Sequence, residues 1–202
     1  MQVADIEAKK GFGFMYGEKL VVGLAGMPGA GKSTVVDAAL ELGYAVVAMG
    51  DVIREETVKR GLELTPQNIG KVMLELRLED GVAVVASKCI PKIEAQTCGK
   101  VLVDGLRSLH EVDVFKEHFQ KFTVLAVHAS PETRFNRLFN RRRSDDSCEW
   151  AVFRERDMRE LTVGLGNVIA MAERVVVNDI SIEEVKGKAA EELQRIEEKW
   201  LK

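Results

Sequence analysis

A three-layer α/β architecture, with a parallel sheet buried between two layers of helices, is predicted by three observations. Short Val- and Leu-rich runs alternate along the chain with segments of helical period. Those runs are continuously apolar, as expected of strands covered on both faces. With 202 residues and 46% hydrophobic content, the chain can bury a sizeable core within the range of one domain.

Taken in order, residues 1–18 mix charge with the segment Gly11-Phe12-Gly13-Phe14-Met15-Tyr16-Gly17. They read as a partly ordered extension packed on the sheet edge, with a subunit contact as the alternative. Leu20–Ala25 is the first strand, and strands follow at Tyr44–Met49, Val101–Val103, Phe122–Val127 and Arg174–Val177. Helices are expected over 33–42, 51–60, 66–79, 82–96, 108–118, 131–141, 148–161, 167–172 and 182–201. Pro66 and Pro131 suit first turns, whereas Pro91 should kink or split its helix. The last helix carries Val185, Ala189, Leu193, Ile196 and Trp200 on one stripe, the mark of a packing face.

Lys plus Arg total 29 against 32 Asp plus Glu, a formal charge of −3, so the overall balance calls for neither nucleic acid nor an anionic membrane. Cys89, Cys98 and Cys148 are odd in number and lack paired metal-site spacing, which fits incidental thiols in a reducing compartment. No run approaches the ~18 apolar residues of a membrane span and no signal-peptide core is legible, so a cytoplasmic location is expected.

Gly26-Met27-Pro28-Gly29-Ala30-Gly31-Lys32-Ser33 fits G-x-x-x-x-G-K-[ST] between the first strand and first helix, the context that a phosphate-binding loop demands. Its glycines let backbone N–H groups and the helix N-terminus face a polyphosphate. Lys32 is then expected on the β and γ phosphates, Ser33 on Mg²⁺, and Thr34 in the same donor site. Three further clusters bear on what accepts the phosphate. Gly50-Asp51-Val52-Ile53-Arg54 follows the second strand, so Asp51 can orient or deprotonate an attacking hydroxyl and Arg54 can fork onto an acceptor phosphate. Val101-Leu102-Val103-Asp104-Gly105-Leu106-Arg107 is an apolar strand ending in Asp, suited to holding Mg²⁺ through water, with Arg107 near the acceptor. Arg134, Arg137, Arg141, Arg142 and Arg143, then Ser144-Asp145-Asp146 and Arg154, Arg156 and Arg159, form a basic stretch. Arg134, Arg137 and Arg141 should share a face, as in a mobile basic lid that neutralises a transferring phosphoryl group.

These residues resemble the P-loop nucleoside and nucleotide kinases from about Leu20 to Val185. Val22 through Thr34, Glu41-Leu42-Gly43-Tyr44, Asp51 and Ala172 through Asn178 are similar to dephospho-CoA kinases, which implies a base role for Asp51. Gly50 through Arg54 and Asp104 through Arg107 look equally like adenylate kinases, implying phosphate-binding roles for Arg54 and Arg107. Arg143 through Asp146 is similar to that family's lid motif without its long insertion, and the proline of its Asp-Gly-x-Pro-Arg is absent here. With Glu155-Arg156-Asp157-Met158-Arg159-Glu160 and Gly164 through Ala170, the combination is closest to an archaeal group of nucleotide-kinase-like proteins, a likeness that carries no substrate.

The resemblance implies a five-stranded sheet in the order 2-3-1-4-5. It divides the chain into an extension (1–18) and a P-loop kinase-like domain (19–202), with an acceptor-binding helical region near 51–96 and a short lid near 137–156. The expected activity is Mg²⁺-dependent transfer of the γ phosphate of ATP, with GTP possible, to a nucleotide-like acceptor, either a nucleoside monophosphate or dephospho-CoA. Gly26 to Thr34 hold the donor; Ser33 and Asp104 serve the metal; Asp51, Arg54 and Arg107 serve the acceptor; and Lys32, Arg137, Arg141 and Arg143 meet the developing charge. A regulatory NTPase and an RNA-associated ATP-binding protein are the alternatives of another class.

Overall fold

In the computed structural model, residues 19–141 and 149–200 are described. The elements are β1 (Leu20–Ala25), α1 (Lys32–Glu41), β2 (Ala45–Ala48), α2 (Met49–Lys59), α3 (Pro66–Asp80), α4 (Val84–Glu94), β3 (Lys100–Leu106), α5 (Leu109–His118), β4 (Lys121–His128), α6 (Pro131–Arg141), α7 (Trp150–Val163), α8 (Leu165–Ala170), β5 (Arg174–Val177) and α9 (Ile182–Trp200). The strands form one parallel sheet in the order β2-β3-β1-β4-β5, as expected.

Alternation along the strands divides the core into two layers. Leu20, Val22 and Leu24 of β1 pack with Val35, Ala38 and Ala39 of α1 and with Val185, Ala189, Leu193 and Ile196 of α9, so the stripe read in the last helix is a packing face. Val21 and Ala25 turn to the opposite layer, among Val85 and Ile93 of α4, Phe115 of α5 and Val168 of α8. Each large apolar side chain buried in this way contributes about 1.5–3 kcal/mol. Pro91 neither splits nor ends α4, which runs on to Glu94. Pro91 and Ser87, whose carbonyl loses its helical partner, both face solvent, and water can satisfy that carbonyl.

Two departures from the expected boundaries shape the functional rim. The second strand stops at Ala48 and Met49 already begins α2, so Asp51 sits inside the first helical turn instead of at its mouth. At ~100° per residue, that early start turns Asp51 away from the loop after β1. The third strand does not end at its carboxylate but continues to Leu106, with a register shift: Leu24 pairs with Asp104 and Ala25 with Leu106. Gly105, at φ 110°, is the extra residue. The bulge returns Leu106 to the layer of Val101 and Val103 and leaves Asp104 facing α1, where it lines a cavity with Lys32 and Ser33.

Candidate functional site

The loop between β1 and α1 is shaped by what presses on it. A Cβ on Gly26 would come within 2.8 Å of the Val127 carbonyl oxygen, so no side chain fits there. Gly31 begins α1 at φ 94°, and a Cβ there would meet Asn178 Nδ2 at 2.0 Å. Among the described residues no side-chain hydrogen bond caps this helix, which leaves its N-terminal N–H groups available to an anion.

Asn178, immediately after β5, anchors the loop. Its Nδ2 donates to the Ala30 carbonyl (2.8 Å), while its own carbonyl and Oδ1 accept from Arg137 Nη2 at 3.0 and 2.8 Å. Arg137 Nη1 is buried with no hydrogen-bond partner among the described residues. Arg134 departs from the expected basic face by turning inward. It is 4% exposed, makes a bidentate bond to Asp157 (2.8 and 2.5 Å), donates to the Pro28 and Ala129 carbonyls, and lies over the Phe153 ring. Helical period puts Arg134 near Arg137 and Arg141, but the Asp157 carboxylate on α7 stabilises its charge inside the protein. Phe135, Trp150 and Phe153 pack ring against ring across the same α6–α7 contact. Arg143, Ser144, Asp145, Asp146 and Cys148 lie outside the described residues, as does the extension 1–18.

Two cavities open on the rim, and Gly29, Lys32 and Arg141 line both. The larger, about 440 Å³, adds Gly31, Ser33, Asp37, Asp104 and Arg137. Here Lys32 Nζ donates to the Gly26 carbonyl at 2.7 Å. Burial pushes the Lys32 ammonium below its ordinary pKa, and the nearby Asp104 partly opposes this. Burial likewise pushes Asp104 up, against Lys32 and Arg107, and its Oδ1 has no partner among the described residues. An orphaned carboxylate oxygen beside a serine hydroxyl fits a hydrated Mg²⁺ that takes few protein ligands. No group of three or more His, Cys, Asp or Glu suited to a metal occurs among the described residues.

The second cavity, about 280 Å³, is lined by Lys32, Arg54, Arg107, Arg141, Arg156 and Glu160 together with loop glycines. Arg107 Nη1 pairs with Glu160 at 3.3 Å, and its backbone N–H donates to Glu111 Oε2 at 2.8 Å. Glu111, 1% exposed, also accepts from Arg77 (3.3 Å); burial raises its pKa, opposed first by the Arg107 amide. Arg54 reaches this cavity but Asp51 does not line it, contrary to expectation. Asp51 bonds Arg54 at 2.5 Å and lines instead a groove beside β2 with Glu55 and Lys92.

The structure thus brings together Gly26, Gly29, Gly31, Lys32, Ser33, Asp104, Arg54, Arg107, Arg137 and Arg141. Met27 and Ala30 shape the loop turn, with Ala30 N–H bonded to the Met27 carbonyl at 3.0 Å; Pro28 lines the second cavity, and Thr34 N–H bonds the Gly31 carbonyl at 3.1 Å. The sequence reading gives no role to Glu111, nor to Asn178, Asp157 and Glu160, which it quotes only within segments that carry the resemblance. The four-residue spacing of Arg156 and Glu160 on one face of α7 was the available signal for the last.

Comparison with known proteins gives the family and the fold. The family model described as an AAA domain matches residues 25–153. A UPF0200 protein of Methanocaldococcus jannaschii is 47% identical over 179 residues, covering 88% of this chain and 90% of its own. One from Hyperthermus butylicus is 47% identical over 178 residues, covering 88% of this chain and 95% of its own. Among solved structures, a shikimate kinase from Bacteroides thetaiotaomicron superposes with a TM-score of 0.59 at 16% identity (87% of this chain, 98% of that one). A gluconokinase from Sinorhizobium meliloti gives 0.55 at 16% identity (91% and 96%), so the likeness to both is one of fold. The chain therefore belongs to the archaeal UPF0200 protein family and carries an AAA-type P-loop domain with a kinase-like fold.

Proposed function

We propose that this protein is a phosphotransferase that moves the γ phosphate of ATP, or of GTP, to an anionic, nucleotide-like acceptor. One observation carries the reading: Gly29 and Lys32 line both the cavity that holds Ser33 and Asp104 at the start of α1 and the cavity lined by Arg54, Arg107 and Arg156. In this reading the loop from Gly26 to Thr34 holds the donor, and Lys32 leaves the Gly26 carbonyl for the β and γ phosphates. Ser33 and, through water, Asp104 hold Mg²⁺, which when bound supplies positive charge to the phosphate oxygens. Arg54 and Arg107 grip the acceptor, and Asp51 orients Arg54 until the acceptor arrives. The acceptor oxygen attacks the γ phosphorus; a new O–P bond forms, the bond to the β–γ bridging oxygen breaks, and the nucleoside diphosphate leaves with that electron pair, an acceptor phosphate attacking already ionised and an acceptor hydroxyl losing its proton to solvent. Arg137 and Arg141 neutralise charge on the transferring group, and Arg143 is assigned the same role from sequence alone.

Radiolabelled ATP offered with Mg²⁺ and a panel of nucleoside monophosphates and dephospho-CoA tests the proposal. The expected result is acceptor-dependent transfer that Lys32→Ala abolishes. Hydrolysis indifferent to every acceptor would point instead to a regulatory NTPase.

A further inference from the structure

On the phosphotransfer reading, the acceptor is gripped by two arginines that belong to different parts of the fold. Arg54 rides on α2, whereas Arg107 lies between β3 and α5 and belongs to neither, yet both line the same cavity. Met49 and Val52 bury α2 against the sheet, but apolar burial is non-directional and does not by itself orient one guanidinium to another. Directional contacts run between the two arginines through α3. The first is made by Arg60, at the C-terminal end of α2, which meets Glu75 and Glu79 of α3, both at 2.9 Å.

The second is made by Glu111. Ser108 Oγ accepts from the Glu111 N–H (3.3 Å), and Glu111 Oε2 accepts from the Arg107 N–H (2.8 Å), a reciprocal arrangement of the kind that closes a helix N-terminus. Such a cap needs no third group. Here the carboxylate is 1% exposed, and its Oε1 also accepts from Nη2 of Arg77, 34 residues earlier on α3, at 3.3 Å. Arg77 is itself largely buried, and with Glu111 it lines a cavity of about 50 Å³ that shares Gly105 and Arg107 with the arginine-lined one. We propose that Arg77 is a positioning residue: through Glu111 it ties α3, and with it Arg54 on α2, to the backbone of Arg107, and so sets the span across which the acceptor phosphate is gripped. Arg77 touches no substrate in this role. In such a constellation a misplacement of about 1 Å can cost ~10²-fold in rate.

The test measures transfer from ATP to AMP, CMP, GMP, UMP and dephospho-CoA in the full chain and in Arg77→Met, Arg77→Lys, Glu111→Gln and the double variant Arg77→Met, Glu111→Gln, with the Kd of ATP taken by calorimetry. For each acceptor that the unmodified protein phosphorylates, Arg77→Met should raise KM and lower kcat/KM by about 10-fold to 100-fold, while the Kd of ATP stays within about twofold. Arg77→Lys keeps the charge and should recover part of the loss. Glu111→Gln keeps an oxygen for the Arg107 N–H but no charge for Arg77, so it should resemble Arg77→Met. The double variant should be no worse than either, since both break one link. A pair with a merely structural role lowers Tm but moves acceptor KM and ATP Kd together, or moves neither, and that result overturns the proposal, as do additive losses in the double variant. Should Arg77→Met not fold, Arg77→Lys decides by the same split between KM and Kd. Acceptor kinetics unchanged in every variant remove this inference and leave phosphotransfer standing; no transfer to any acceptor in the unmodified protein removes both.

Discussion

Replacing Asp157 by Ala leaves the Arg134 guanidinium, 4% exposed, inside the protein without its carboxylate. The lost pair is bidentate and buried, and removal of one partner from such a pair costs about 3–5 kcal/mol, chiefly because the other charge remains uncompensated. In a domain of this size each kcal/mol corresponds to about 2–4 °C in Tm, so the expected fall is roughly 6–20 °C by circular dichroism. Arg134 also donates to the Pro28 carbonyl, which ties the phosphate-binding loop to α7. ATP binding measured by calorimetry should therefore weaken along with stability. The double variant Arg134→Met, Asp157→Leu separates the two effects, because replacing both charges with apolar groups is often nearly neutral for stability. Its Tm should recover while its ATP affinity does not. If Asp157→Ala unfolds within about 2 °C of the unmodified protein, the argument that this pair holds α6, α7 and the loop together is refuted.

Asn178→Ala removes the bond to the Ala30 carbonyl and the two acceptors that orient Arg137. Calorimetry should show ATP binding weakened by about tenfold or more, and an unchanged Kd would exclude Asn178 as the loop's anchor. Glu111 predicts a pH dependence. Burial raises its carboxyl above the ordinary 4.5, so the folded state holds the proton more tightly than the unfolded state. Stability from this group is present below 4.5 and lost as pH rises through the raised value, so the Tm of Glu111→Gln minus that of the unmodified protein should increase across that window. A difference that stays flat with pH would contradict the assignment.

The strand cores were legible because a parallel strand covered on both faces must be apolar throughout, and Arg174–Val177 was read to the residue. The strand ends were not. Asp104-Gly105 has the composition of a turn, and only pairing with β1 and β2 keeps it in the sheet. The phosphate-binding loop was readable because its chemistry lies within eight consecutive residues. The groups that hold the loop were not, because Arg134 finds Asp157 23 residues later and Arg137 finds Asn178 41 residues later. Helical period gives the side of a helix on which an arginine lies, but not whether a distant carboxylate meets it there. Arg134 is held inside by Asp157, whereas Arg137 meets Asn178 and lines the larger cavity.

The bulge at Gly105 links this long-range geometry to the proposed chemistry, and a single methyl group tests it. In Gly105→Ala the new Cβ would sit 3.6 Å from Met49 Cβ, an ordinary contact, so steric overlap is not the issue. The cost is conformational: φ of 110° is foreign to L residues, for which left-handed backbone costs about 1–2 kcal/mol. A Tm lower by about 2–8 °C follows. Part of the strain can be relieved by straightening β3, but that would carry Leu106 toward the opposite layer and Arg107 away from its cavity. Acceptor KM should consequently rise more than ATP affinity falls, because the donor loop is held separately by Arg134 and Asn178. Gly99→Ala, with no atom within 4 Å of its new Cβ and no left-handed backbone, is the control and should be neutral. If the two variants unfold together, Gly105 is not what sets the rim, and Arg107 must owe its position to the Glu111 and Glu160 carboxylates alone.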